Sequence, residues 1–194
     1  MNFADLYNYA ASFPDPIIRI EQLVHHIEGH HQEVRGVRFT PVDLDPNVTL
    51  GYMRYEHDRT SAYDEAFVVA NVRFWRQLNR CWRRYVCAKE LMHVFDNEQE
   101  RTNSRQKFLV HLAEAESPPL AADMSPMLIS EHKTEWMALA VLCPKPLRDR
   151  FRADWQNKVL SDYEVALEFR IPEAAVRTVM GDYFDTALQN LLAV

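Results

Sequence analysis

The order of predicted strands and helices constrains the fold of this chain most strongly. Residues 34–44 favour a β-strand, and Pro41 indicates that this strand lies at the edge of a sheet. Residues 50–56 and 66–72 have β-branched, alternating patterns on either side of a polar segment, which predicts a hairpin. Helical patterns precede the strands and resume after them. This order predicts an α+β fold, with a small, mostly antiparallel sheet packed on helices.

Segments with the apolar spacing that is typical of helices lie on both sides of the strands. They cover residues 3–12, 16–29, 74–96, 106–115, 126–142, 146–156, 162–169 and 172–192. Gly29 is the expected end of the second helix, Pro144 and Pro146 end the fifth, and Gly181 is expected to interrupt the last. We predict a main domain over residues 1–145 and a helical C-terminal extension over residues 146–194.

Composition and charge exclude several classes of function. The 194 residues include only four glycines, and no G-x-G-x-x-G or Walker pattern for binding nucleotide phosphates occurs. A net charge of −6 argues against nucleic acid or an anionic membrane as the partner. There is no run of about 18 apolar residues and no apolar N-terminal signal region, so we expect no membrane span. The cysteines, Cys81, Cys87 and Cys143, lack C-x-x-C spacing and predict reduced thiols in the cytoplasm.

The segment most suggestive of chemistry is Lys89-Glu90-Leu91-Met92-His93, within the predicted helix over residues 74–96. Zinc peptidases place two histidines four residues apart on a helix, and a glutamate between them activates the metal-bound water. In this chain Glu90 and His93 are present, but Lys89 stands where the first histidine is expected. Taken alone, K-E-x-x-H is typical of a solvated helix face, so its interpretation depends on the surrounding sequence.

The surrounding sequence resembles the ImmA/IrrE family of zincin-type metallopeptidases. The predicted hairpin GYMRYEHDRTSAYDEAFVVANV leads towards Ala88–His93, which aligns with the family's A-H-E-L-x-H core. Residues 131–144, EHKTEWMALAVLCP, are similar to the family's following helix, although Thr134, Met137 and Cys143 depart from its pattern. SDYEVALEFRIPEAAVRTVM is similar to the helix-turn-helix-like pair that closes many members. The resemblance covers about residues 20 to 180 by pattern and implies a zincin-like fold.

The resemblance implies His93 and Glu131 as metal ligands and Glu90 as the general base, with a histidine ligand replaced by Lys89. A lysine amine must lose a proton before it binds a metal, and its ordinary pKa of about 10.4 opposes this near neutral pH. We therefore expect the Lys89 ammonium to lie near the metal position, to neutralise Glu131 or Glu90, and to leave the site without metal. Zinc remains the expected cofactor only if another ligand, such as His111 or His132, replaces Lys89.

Other clusters of polar residues have simpler interpretations. His26 and His30 have the four-residue spacing of metal ligands, but we interpret them as a polar helix end, with a surface metal site as the alternative. Asp96, Glu98 and Glu100 form an acidic cluster that we expect to be solvated. Cys87 is expected to be a thiol that either belongs to the core or lies just behind the site residues.

Three functions follow from these patterns. The first is a pseudoenzyme: a metallopeptidase-like, non-catalytic regulator of transcription that binds a helix-turn-helix repressor, as the resemblance implies for phage, mobile-element or stress-response settings. The second is an active zinc endopeptidase that cleaves such a repressor, with Glu90 as its general base. The third is a DNA-binding regulator that uses residues 161–180, but its second helix offers only Arg177 as a cation, so nucleic acid is not the expected partner.

Overall fold

The computed structural model describes residues 1–59, 66–101, 107 and 124–193. Within these ranges, eight α-helices and three β-strands confirm the predicted α+β class. They are α1 (Phe3–Ala11), α2 (Ile20–His30), β1 (Val34–Val42), β2 (Gly51–Asp58), β3 (Phe67–Trp75), α3 (Arg80–Met92), α4 (Pro126–Leu142), α5 (Lys145–Gln156), α6 (Asp162–Phe169), α7 (Val176–Met180) and α8 (Tyr183–Leu192). A 3₁₀ turn, His93–Phe95, continues α3, and another, Glu173–Ala175, precedes α7. Apart from Lys107, the helix predicted over 106–115 lies outside the described residues.

The three strands form one sheet in the order β1-β3-β2. β2 and β3 pair antiparallel, with Gly51 opposite Phe74, which confirms the predicted hairpin. β1 lies at the edge, as Pro41 indicated, but it pairs parallel to β3. The prediction of a mostly antiparallel sheet was therefore wrong for one of the two pairings. The reason is that β3 lies between β1 and β2. It runs antiparallel to β2, which precedes it in the hairpin, and therefore in the same direction as β1.

The boundaries of α2 and α3 differ from the sequence prediction. α3 begins at Arg80 because Phe74 and Trp75 complete β3, and the Trp75 N–H donates to the carbonyl of Leu50 at 2.9 Å. The side chain of Asn79 then caps α3. α2 begins only at Ile20 and continues past Gly29, so Gly29 does not end it.

One apolar core runs from α1 through the sheet and α3 to the C-terminal helices. Its fully buried members include Leu6, Val72, Leu91, Leu142 and Phe169. Because residues on both sides of position 145 contribute to this core, the division into residues 1–145 and 146–194 stays a prediction. Among the described helices, none is both long and apolar enough to cross a membrane.

Two arginines donate hydrogen bonds to backbone carbonyls of the C-terminal helices, one from α3 and one from within the C-terminal helices themselves. Arg84 on α3 donates to the backbone carbonyls of Ile18 and Phe169. Arg148 is completely buried and donates to the carbonyl of Val179 at 2.6 Å and to that of Gly181 at 2.9 Å. The carbonyls of Phe169 and Val179 lie in the last turns of their helices, where helical hydrogen bonds are missing, and the arginines satisfy them.

Candidate functional site

The predicted site residues come together where the C-terminal half of α3 packs against α4. Lys89 and Glu90 lie on α3, His93 follows its last residue, and Glu131 lies near the start of α4. The Lys89 ammonium donates to Glu90 Oε1 at 3.1 Å and also to Glu131 Oε2. The side chains of Lys89 and Glu90 are only 14% and 6% exposed, so this ion pair is largely removed from water.

Gly51 allows β2 to approach this part of α3. A Cβ atom at position 51 would stand 2.6 Å from Cγ1 of Val86 and 3.3 Å from Cγ of Glu90. The absence of a side chain at Gly51 therefore lets the sheet pack directly against the helix that carries the site. Tyr55, also on β2, adds a hydrogen bond from its hydroxyl to the carbonyl of His93, at 3.2 Å.

The imidazole of His93 contacts acidic groups on both of its nitrogens. Nδ1 lies 2.7 Å from Asp96 Oδ2. Nε2 points into the cleft, 3.4 Å from Glu131 Oε1 and 3.8 Å from Glu90 Oε2. Since Nδ1 is held by Asp96, the ring orientation is fixed and Nε2 faces the two glutamates.

Asp96 corrects the prediction of a solvated acidic cluster. It is buried, and its second oxygen accepts a hydrogen bond from Ser130 Oγ at 2.7 Å. Glu100 is also largely buried and pairs with Lys133 at 2.7 Å, whereas the side chain of Glu98 is 79% exposed. The three-residue spacing between His93 and Asp96 was the available signal for their contact, but nothing local in the sequence pointed to Ser130.

The charges of the cluster support one another. Burial opposes the charge of Lys89, but Glu90 and Glu131 outweigh it and hold the pKa of the ammonium above its usual value. Burial also opposes a charged His93, yet hydrogen bonds to Asp96 and Glu131 raise its pKa to about 9. Burial alone would raise the pKa of Glu131, but His93 and Lys89 hold it well below its usual range. At neutral pH both nitrogen groups therefore carry their protons and Glu131 is ionised.

The residues as they stand do not fit a catalytic zinc ion. Such an ion takes three protein ligands and a water molecule. His93 and Glu131 face a common position, but the third place is taken by the Lys89 ammonium, which has no lone pair to donate. In the part of the chain that the structure describes, no group of three or more His, Cys, Asp or Glu side chains is arranged to hold a metal.

The other histidines do not complete the site within the described residues. His132 faces away from it and lines a separate cavity of about 680 Å³, together with Trp136 and Tyr183. His111 lies outside the described residues. His26 and His30 stack face to face, with centroids 4.3 Å apart, and His26 also stacks on Tyr9. Stacked rings direct their nitrogens in parallel rather than towards one point, which favours the polar helix end over a metal site.

The remaining candidates have structural roles. Burial raises the pKa of the Cys87 thiol to about 12, which is typical of an inert core cysteine. In the C-terminal pair, α7 has five residues and buries Val176, Val179 and Met180. Arg177 is paired with Asp162 at 2.9 Å. These contacts favour packing over contact with DNA.

No protein-family model matches this chain, and the comparisons with curated proteins and with solved structures also give no match. The resemblance to the ImmA/IrrE family therefore depends on the order and spacing of the sequence motifs.

Proposed function

We propose that this protein is a metallopeptidase-like regulator of the ImmA/IrrE type, with a zincin-like fold, that acts in the cytoplasm by binding a protein partner and not by cleaving it. The observation that carries this proposal is the position of the Lys89 ammonium between Glu90 and Glu131. A lysine held there by two carboxylates supplies the positive charge that a metal ion would bring, but it cannot activate water.

The ammonium also gives the site a structural role. It joins α3 to α4, and it neutralises Glu90, whose side chain is 6% exposed and would be costly to bury without a partner. A metal-independent cleft of this kind keeps its shape without depending on the supply of zinc. It is therefore suited to recognition of a partner.

The partner that fits best is a DNA-binding protein of the helix-turn-helix repressor type. The resemblance implies this class, and the charge supports it: the chain carries a net charge of −6, whereas proteins that bind DNA present a basic surface. Opposite charges speed the encounter of two proteins and help to select the correct partner.

Metal analysis of protein purified without chelator tests the proposal directly. We expect far less than one equivalent of any transition metal per chain. Stoichiometric zinc that is lost in both His93→Ala and Glu131→Ala would contradict it. His132→Ala is the matched control, because His132 lies on the other side of α4, in the separate cavity.

The second candidate function is an active zinc endopeptidase that cleaves a repressor. The observation in its favour is that Glu90, His93 and Glu131 are retained together, with His93 oriented by Asp96 as metal-bound histidines commonly are. Incubation of candidate repressors with the protein and added zinc separates the two functions. Cleavage that Glu90→Gln abolishes would favour the peptidase, whereas binding without cleavage, unchanged in Glu90→Gln, would favour the regulator.

A further inference from the structure

The cavity that His132 lines follows one face of α4 and one face of α8. We call it the α4–α8 groove. Its apolar lining from these helices consists of Ile129, Trp136 and Met137 on α4 and Tyr183, Ala187 and Leu191 on α8. Counted from the first residue of each set, the others lie four, seven or eight positions further along. This is the spacing of residues on one helix face, so each helix presents an apolar stripe to the groove.

The groove has a buried floor and an exposed apolar rim. Met137 and Ala187 are buried, whereas Ile129 and Tyr183 are 47% and 64% exposed. The rings of Trp136 and Tyr183 meet edge to face across the two helices, with centroids 5.8 Å apart. Exposed apolar side chains that rim a concave surface are typical of interaction sites, and tryptophan and tyrosine are enriched among the residues that dominate binding.

The dimensions of the groove fit about two turns of a helix. Ile129 and Met137 are eight residues apart, so the stripe on α4 is about 12 Å long, because a helix rises by about 1.5 Å per residue. A partner helix that buries side chains at i, i+4 and i+7 uses about 10.5 Å of its own length. The volume of about 680 Å³ lies within the range of about 300–1,000 Å³ for ligand pockets, so the groove has room for several side chains.

The charges exposed at the groove are acidic. Glu33 lines it with a side chain that is 57% exposed, whereas its partner Arg101 is only 20% exposed. Asp182 directly precedes the α8 stripe and is almost fully exposed, whereas its partner Arg152 is largely buried. Lys133 also lines the groove, but it is largely buried in an ion pair. In each case the cation is withdrawn from solvent, and the exposed carboxylates favour a cationic partner.

We propose that the α4–α8 groove is a docking surface for a protein partner, and that the segment it receives is a basic amphipathic helix. The apolar face of that helix packs between α4 and α8, and its lysines or arginines face Glu33 and Asp182. The groove lies on the opposite side of α4 from the Lys89 cleft, so it adds a second contact surface. This inference rests on the proposed function for the existence of a protein partner, and a DNA-binding partner has the required basic charge.

The test measures binding of fluorescein-labelled peptides of about 15 residues to the whole chain by fluorescence anisotropy. The first peptide has leucines at i, i+4 and i+7 and lysines on its other faces. The second has glutamate in place of each lysine, and the third has the composition of the first in a scrambled order. We expect the first peptide to bind at least about 10-fold more tightly than the other two, because only it has both the apolar stripe and the positive charge.

Substitutions at the apolar rim locate the binding site. Ile129→Ser and Tyr183→Ser are each expected to weaken binding of the first peptide by about 10-fold. Tyr163→Ser and Leu167→Ser are the matched controls, because these side chains are similarly exposed but lie on α6, and we expect them to leave the affinity unchanged. Circular dichroism checks that all four variants keep the fold.

Substitutions of carboxylates test the charge of the partner. Glu33→Gln and Asp182→Asn are each expected to weaken binding of the first peptide by about two- to fivefold and to reduce its dependence on salt. Asp43→Asn removes another exposed, ion-paired carboxylate, away from the groove, and is expected to change neither quantity.

Several results would overturn the inference. These are failure of the first peptide to bind, equal binding of the glutamate or scrambled peptide, and equal losses in the groove variants and their controls. If anilinonaphthalene sulfonate binds the groove and no peptide does, the occupant is a small apolar molecule. If the chain sediments as a dimer that Tyr183→Ser dissociates, the occupant is a second copy of this chain. None of these measurements depends on the metal content of the Lys89 cleft, so failure here is distinguishable from failure of the proposed function.

Discussion

Replacing Lys89 with methionine tests how far the fold depends on the cation between α3 and α4. Methionine keeps much of the length and apolar volume of lysine but removes the charge. The variant leaves Glu90 and Glu131 facing each other across the cleft, with the protonated His93 as their remaining neighbour in the cluster. We expect a loss of stability, because two partly desolvated carboxylates lose their shared partner.

The size of the loss follows from the burial of the two glutamates. Removal of one member of a buried ion pair costs about 3–5 kcal/mol. The side chain of Glu90 is 6% exposed, so it resembles a fully buried partner. The side chain of Glu131 is 33% exposed, so water screens part of its charge. We therefore expect Lys89→Met to lower the free energy of unfolding by about 3 kcal/mol. For a chain of this size, that loss corresponds to a decrease in Tm of about 6–12 °C.

Urea denaturation, followed by fluorescence and by circular dichroism, measures this loss and checks that the transition is two-state. Arg35→Met removes an exposed cation from β1 and is the matched control, with an expected change within about 0.5 kcal/mol. Lys89→Met/Glu131→Gln should recover about 1–2 kcal/mol, because the uncompensated charge on α4 is removed. A Lys89→Met variant that is as stable as Arg35→Met, or a double variant that recovers nothing, would contradict a stabilising role of the Lys89 charge.

Four further predictions address pH and packing. The pKa of His93 is raised from 6.5 to about 9, so its stabilising contribution is complete below its ordinary pKa and is lost as pH rises through 9. Between about pH 6.5 and pH 8.5, the stability advantage of wild type over His93→Gln, measured by urea denaturation, should therefore shrink; a constant advantage would contradict this. The pKa of Glu131 is lowered, so its stabilising contribution has the opposite pH dependence: it is present above the ordinary pKa of about 4.5 and is lost as pH falls below that value. Arg148→Met leaves buried carbonyl oxygens without a donor and should cost about 3 kcal/mol in thermal unfolding, and a variant as stable as wild type would disprove it. Gly51→Ala should destabilise by about 1–3 kcal/mol, whereas Gly29→Ala, where a Cβ meets nothing within 4 Å, should stabilise by up to about 1 kcal/mol; equal effects would argue against the close approach of β2 to α3.

The parts of the fold that depend on local signals could be predicted from the sequence. α4 runs from Pro126 to Leu142, as predicted, because Ser125 caps it and Pro126 suits its first turn. The start of α3 could not be predicted in this way. Phe74 and Trp75 fit a helical stripe equally well, and only their pairing in β3 decides between strand and helix. The direction of β1 likewise depends on β3 inserting between two earlier strands, which no local pattern encodes.

The candidate site likewise has a part that local sequence predicted and a part that depends on the tertiary fold. Lys89, Glu90 and His93 lie on a single stretch of chain, so their spacing alone predicted that they would share a region. Asp96 was predicted to be solvated together with Glu98 and Glu100. Its burial depends on Ser130, which the packing of α4 brings to it across 34 positions of the chain. Contacts of that kind follow from the tertiary fold, and no local sequence pattern predicts them.

The contacts of Arg84 affect which truncations of this chain, and which replacements of its C-terminal segment, would preserve the fold. Its guanidinium binds the carbonyl oxygens of Ile18 and Phe169, which belong to opposite ends of the sequence. A fragment that ends at residue 145 would lose one of these acceptors and leave a half-buried charge poorly satisfied. The hydrogen bond from Arg84 needs no particular side chain at position 169, because every residue offers a peptide oxygen, but the fully buried ring of Phe169 must still be matched by a side chain that fills the core. Compatibility at this joint therefore has two requirements: a backbone path that brings a peptide oxygen to Arg84, and an apolar side chain of suitable size at position 169.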